Sequence, residues 1–256
     1  MRSPLKDKDG FTCVDAIHKL LPADSRVKSF LFFSGNLELG LERYGRTVET
    51  YTNKYVTFEF WKCASKDPYN IIHKAEWLNE RMDLELIYTF QEKWPLYKDP
   101  FVRSALFFLL NIYSHKGRIS SGHFSMENYN PISVGRLKNL YNVDKKINIL
   151  YHEDENYLDC FDQLETREED VLVLPVGNFS HNWLQHGTLR GFEDYVVNHK
   201  DLKEKLKEKE SKFILCYKPH RELYDFYSDF NIKLLNKYGI ETENLENCHD
   251  VLIYNF

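Results

Sequence analysis

The stretch Leu172 to Ser180, reading L-V-L-P-V-G-N-F-S, carries the most chemically suggestive residues of the chain. An apolar run of strand type, Val171 to Leu174, gives way to Pro175 and Gly177, with Asn178 and Phe179 just beyond. Open α/β sheets place their chemistry just past the carboxyl ends of their strands. A polar side chain there, set among prolines and an aromatic, accepts hydrogen bonds from an amino group while the ring stacks on the base that bears it. Here the proline and the aromatic are present, but Pro175 offers no side-chain acceptor where the polar group belongs. Asn178 is the nearest substitute: its amide oxygen has the right polarity, but it lies three residues beyond Pro175, so the loop would have to shift.

Other reactive residue types give blander readings. Lys66-Asp67-Pro68-Tyr69 repeats the acid-proline-aromatic run, yet it follows a helical pattern, and Asp67-Pro68 suits the cap and first turn of a helix. The ten histidines show no metal-ligand spacing beside acidic partners. His115, His123, His181 and His186 fall in polar loops, where ordering the loop or facing water is the expected role. Cys13, Cys63, Cys160, Cys216 and Cys248 are widely spaced, odd in number and without a C-x-x-C pair. They read as reduced packing residues of a cytoplasmic protein, with neither disulfides nor zinc. A net charge of −5 provides no overall basic field, so contact with nucleic acid needs a local basic face. No stretch approaches a membrane span and the charged N-terminal region is no signal peptide, so neither a membrane nor a metal is an expected partner.

These groups need elements to hold them. Val27 to Phe33 is the first strand candidate; it breaks at Ser34-Gly35-Asn36 into a helical pattern, Leu37 to Tyr44, which Gly45 ends. A second strand, Thr47 to Tyr51, follows, then helical spacing over Asn53 to Lys62. Strand, glycine turn, helix and strand in about 25 residues form a βαβ unit and imply a parallel sheet. From Lys66 to about Leu140 the chain reads as mostly helical, with Phe101 to Tyr113 nearly all apolar and a polar patch over Ser114 to Asn130. Strand candidates resume at Lys146 to Tyr151, Asp170 to Leu174, Lys212 to Tyr217, Asn231 to Leu235 and Val251 to Tyr254. Leu202 to Lys212 is the solvated face of a surface helix, its acidic residues offsetting much of its basic charge. The expected division is an α/β domain over residues 11–65 and 141–256, interrupted by a helical insertion over residues 66–140.

In this order the elements resemble the Dam-type, class-alpha DNA adenine methyltransferases over nearly the whole chain, from about Phe11 to Phe256. F-F-S-G-N-L-E-L-G-L (Phe32 to Leu41) stands at that family's cofactor turn and Y-T-N-K-Y (Tyr51 to Tyr55) at its second strand end. The most specific passage is R-S-A-L-F-F-L-L-N-I-Y-S-H-K-G-R-I-S-S-G-H-F-S (Arg103 to Ser125), where Asn111, Gly117, Ser121, Gly122, Phe124 and Ser125 keep the family's spacing. H-G-T-L-R-G-F (His186 to Phe192) and F-I-L-C-Y (Phe213 to Tyr217) fit the loop and strand after the catalytic motif. The resemblance implies a Rossmann-like, S-adenosylmethionine-dependent methyltransferase sheet with a helical target-recognition insertion. It assigns cofactor contacts to Lys19, Phe33, Ser34, Gly35, Asn53 and Asp154. It assigns the catalytic strand end to Pro175, Val176, Gly177, Asn178 and Phe179. Double-stranded DNA would meet Asn111, Lys116, Arg118, Phe124, Arg136 and Lys138, where cations stand among aromatics.

The chain also departs from the family. Val14 to Lys19 keeps only the lysine of the N-terminal W-x-G-G-K segment, Leu31 stands where an acid precedes the cofactor turn, and Leu37 replaces its second glycine. Tyr51 takes the place of the acid that holds the ribose. Methyl transfer depends on steering the amine lone pair toward the methyl sulfonium, and the polar residue of the catalytic D-P-P-Y is missing. The favoured expectation is a catalytically degenerate relative, a pseudoenzyme that binds DNA or a protein partner, with S-adenosylmethionine binding left open. An active S-adenosylmethionine-dependent adenine methyltransferase with an atypical pocket is the alternative, and another base-modifying chemistry in that pocket is a third. The clusters Glu153-Asp154-Glu155 and Glu168-Glu169-Asp170 limit where a phosphate backbone can lie.

Overall fold

The computed structural model describes residues 1–7, 9–115, 117, 119, 123–153, 157–163, 166–179, 197–209 and 211–256. Among these, seven strands form one sheet: β1 (Arg26–Ser29), β2 (Val48–Thr52), β3 (Ile147–Tyr151), β4 (Asp170–Gly177), β5 (Lys212–Tyr217), β6 (Asn231–Asn236) and β7 (Cys248–Tyr254). Their order is β3-β2-β1-β4-β5-β7-β6. The first five run parallel, and β7 is antiparallel to both of its neighbours. Helices flank the sheet, giving an α/β architecture with a mostly parallel mixed sheet, the arrangement of Rossmann-like folds. The strand order reverses between β1 and β4, so their carboxyl ends frame the crevice where such sheets bind ligands.

Strand ends differ from the sequence expectation where backbone conformation intervenes. β1 stops at Ser29, four residues before the apolar run does, because Leu31 adopts φ +58° and turns the chain out of the extended state. β4 instead runs on through Pro175 to Gly177, with a bulge between them. The Val173 carbonyl accepts from Phe30 N (3.0 Å), so by the two-residue period of a strand Pro175 also faces the β1 side. β1 has ended at that level, and the missing proline N–H costs the ladder nothing.

α1 (Val14–Leu20) precedes β1, and α2 (Asn36–Arg43) returns the chain to β2. Between β2 and β3 lie α3 (Tyr55–Lys66), α4 (Pro68–Asn79), α5 (Leu84–Lys93), α6 (Pro100–Tyr113) and α7 (Pro131–Lys138). α8 (Tyr157–Gln163), α9 (His199–Glu208) and α10 (Arg221–Phe226) accompany the later strands. Every residue of α6 from Ser104 to Tyr113 is buried, as expected of a helix apolar on all sides. One hydrophobic core joins this helix and α4 to Val27, Val48 and Ile147 of the sheet, so the insertion shares a core with one sheet face. A second core, including Leu172, Phe213, Leu202 and Leu206, fills the other face. Cys13, Cys63, Cys216 and Cys248 are free thiols.

Asp67 caps α4: its carboxylate accepts from Asn70 N (3.1 Å), and Pro68 opens the first turn. The acid-proline-tyrosine run is thus a helix start. Asp67→Ala is expected to lose about 1 kcal/mol of stability in urea titrations, with Asp67→Asn close to wild type. Equal losses in both variants would show that the cap is not what the carboxylate contributes.

Candidate functional site

The crevice between β1 and β4 is built from three pieces of chain. After β1, Phe33, Ser34 and Gly35 turn into α2. Gly35 has φ +71°, and a β-carbon there would sit 2.6 Å from the Trp61 ring, so no other residue fits. Trp61 in turn donates its indole N–H to Phe33 O (2.9 Å), which fixes the turn against α3. At the end of the β4 ladder, Pro175 and Val176 form the opposite wall. The third piece is the segment preceding α1, which brings Asp7, Asp9 and Phe11 over the strand ends.

That segment is fastened at several points. Asn111 accepts from Lys6 N (2.7 Å) and donates to Lys6 O (3.3 Å) and Gly117 O (3.0 Å). Lys6 Nζ donates to the Ile112 and Ser114 carbonyls at the end of α6. Thr12 donates through its N–H (2.7 Å) and hydroxyl (2.9 Å) to Asp250, a fully buried carboxylate that also pairs with Lys218 at 2.6 Å. Between these anchors the Asp9 carboxylate lies against Gly177, whose φ is +86°; a β-carbon on Gly177 would meet it at 2.7–2.8 Å. The N-terminal segment thus places a carboxylate at the end of β4. Residues 3–12 show no periodic pattern, so nothing marked them as part of the site.

Glu38, in the first turn of α2, faces the same cleft and is 2 % exposed. Burial pushes its carboxyl up to about 7, opposed by a hydrogen bond from the Ser29 hydroxyl (2.5 Å).

The expected site residues divide. Phe33, Ser34, Gly35, Pro175 and Val176 meet at the cleft. Asn53 stands beside it, with Tyr51 and His152, at the ends of β2 and β3. Lys19 is exposed in the last turn of α1, away from the crevice lining. Phe179 is a correction: rather than facing the crevice to stack on a base, it is 4 % exposed in the second core, against His199 and Phe226 at ring distances of 4.7 and 5.4 Å. The bulge at Pro175–Gly177 changes which face the following residues take, and Asn178, not Phe179, is left exposed. Asn111 is the second correction. It is fully buried and its amide is committed to Lys6 and Gly117, leaving no surface for DNA.

Phe124 is half-buried at the end of the α6 loop, edge-on to the exposed Tyr88 at 6.2 Å. Arg136 and Lys138 occupy the last turn of α7, the first half-buried and the second exposed. Lys116, Arg118, Ser121, Gly122, Asp154, His181, His186 and the 186–192 passage lie outside the described residues.

Neither a scan against protein-family models nor a search of curated proteins finds a match to this chain. Its chemistry is read from the site itself.

Ligand sites for small molecules usually enclose about 300–1,000 Å³. The cleft lined by Gly35, Glu38 and Pro175 holds ≈ 50 Å³, and the hollow lined by Tyr51, Asn53 and Tyr157 holds ≈ 10 Å³, close to the minimum for a single water. Ser34 and Gly35 line the first space, Asn53 lines the second, and Leu31 lines both. A groove of ≈ 470 Å³ opens nearby between α1 and α2, lined by Arg2, Asp15, Arg43 and Tyr44. It shares Asp7 and Phe11 with the cleft, and its Asp15 accepts from the Tyr44 hydroxyl (2.5 Å). Among the described residues no group of acids, histidines and cysteines is arranged to hold a metal, and no helix is long and apolar enough to cross a membrane.

Proposed function

We propose that the chain is a diverged relative of the class-alpha DNA adenine methyltransferases, catalytically degenerate, which binds double-stranded DNA through its helical insertion. The state of the β4 end carries this reading. Pro175 and Val176 wall a cleft of ≈ 50 Å³ and Phe179 is folded into the core, so a flipped base finds neither a stacking ring nor space. The sheet is compatible with this reading: parallel strands with one reversed strand next to an edge form a mostly parallel α/β sheet of Rossmann-like type. Charge supports the DNA half. Residues 66–140 hold ten Lys and Arg against eight Asp and Glu, in a chain with 34 and 39 overall. The basic excess thus falls on the insertion, beside the aromatic edge of Phe124 and Tyr88.

Fluorescence anisotropy with a labelled duplex, between about 50 and 200 mM salt, tests the binding. Affinity is expected to fall steeply with salt, and Lys138→Ala and Arg136→Ala to lower both the affinity and the salt slope, each by about one phosphate contact. A flat salt response would sink the DNA reading and leave a protein partner as the occupant of this face. Labelled methyl transfer to adenine is expected to be absent. An active enzyme is the second reading, favoured by one observation: the Asp9 carboxylate at Gly177, with Asn178 exposed beside it, restores a polar acceptor to the strand end. Methyl transfer that is lost in Asp9→Asn would establish it.

A further inference from the structure

We propose that Tyr51, with Leu31, closes the nucleoside half of the crevice from within, so that an aromatic stack of the chain's own side chains stands where a nucleoside cofactor would lie. The Tyr51 ring lies on Phe30 with centroids 5.0 Å apart and planes 13° from parallel. Phe161 meets Phe30 at 4.4 Å, tilted by 36°, and His152 meets Tyr51 at 5.4 Å, tilted by 38°. The Tyr51 ring thus covers the aromatic face of Phe30, on which a flat base could otherwise stack. The three phenyl-bearing residues are 6 %, 2 % and 1 % exposed for Tyr51, Phe30 and Phe161, so none projects into an open site.

Two features hold the stack in place. The Tyr51 hydroxyl donates to Glu49, which ties the ring along its own strand. Leu31, at φ +58°, holds a backbone conformation uncommon for a side chain with a β-carbon, and its side chain lines both the cleft and the hollow. It therefore divides what would be one continuous crevice into two small spaces. Loss of cofactor binding is then steric as well as a matter of missing ligands. The inference rests on the degenerate reading above but is read out separately from DNA binding.

The test is isothermal titration of the full chain with S-adenosylhomocysteine and with adenosine. Wild type is expected to show no binding up to millimolar ligand. Tyr51→Asp, which removes the ring and returns an acid to the strand end, is expected to bind at least tenfold more tightly than wild type, and more so combined with Leu31→Gly. Tyr51→Val serves as a milder variant where the acid prevents folding, with thermal unfolding checking each protein. Micromolar binding by wild type overturns the proposal. So does a folded Tyr51 variant that binds no better than wild type. Duplex binding measured on the same samples is expected to stay unchanged, so failure of one reading is told apart from failure of the other.

Discussion

Replacing Asp250 with alanine is expected to lower folding stability by about 3–5 kcal/mol, the usual consequence of removing one partner of a buried ion pair. Asp250 is wholly buried and accepts from the Thr12 N–H, the Thr12 hydroxyl and Lys218 Nζ (2.6 Å), with His249 Nδ1 a further 3.0 Å contact. Truncation strands the lysine, whose side chain is only 17 % exposed, and releases the segment that carries Asp9 and Phe11 over the cleft. Asp250→Asn keeps an acceptor for Thr12 and is expected to lose less. Adding Lys218→Met to Asp250→Ala is expected to recover part of the loss by removing the stranded charge. Chemical denaturation of wild type, Asp250→Ala, Lys218→Met and the double variant measures this cycle. Additive losses in the double variant would mean that the pair does not act as a pair.

Glu38→Gln is expected to stabilise the protein at neutral and alkaline pH and to have little effect in acid. The Glu38 carboxyl is pushed up to about 7 in the fold, against an ordinary value of 4.5. Between those values the folded chain keeps a proton that the unfolded chain has released. Stability from this group is therefore full below about pH 4.5, falls as pH rises through 7, and is level above that. A gap of this size corresponds to about 3 kcal/mol. Glutamine keeps an acceptor for Ser29 and has no charge to bury, so its advantage over wild type should grow across that window and then hold steady. Stability curves of the two proteins from pH 4 to pH 9 give the difference directly. A difference that does not change with pH would show that Glu38 is not held protonated by burial.

The parallel sheet was legible because its strands are apolar runs set off by turn residues: Lys212–Tyr217 begins and ends where the sequence places it. The Asp67-Pro68 cap was legible because capping is a local interaction. What failed depended on parity or on distant partners. Phe179 was expected in the crevice on the assumption that β4 stops at Pro175, and the bulge reverses that. Asn111 keeps a family spacing, but spacing alone does not say whether an amide points to DNA or to the backbone of Lys6, 105 residues away. The Asp9–Gly177 approach and the Asp250 anchor were missed altogether, since an irregular segment docking on strand ends leaves no pattern in its own residues. Tyr51 was recognised as a departure from an acidic position, yet its stacking on Phe30 required the fold.

The anchoring of Thr12 by Asp250 spans 238 residues. At ribosomal rates of about 5–20 residues per second, Asp250 is synthesised roughly 12–50 s after Thr12. The segment that roofs the crevice is thus made well before its anchor and is among the last to settle, because contacts so distant along the chain form late. Until Asp250 is made the strand ends lie without that anchor, and the apolar walls of the crevice face water or a chaperone before they face Phe11.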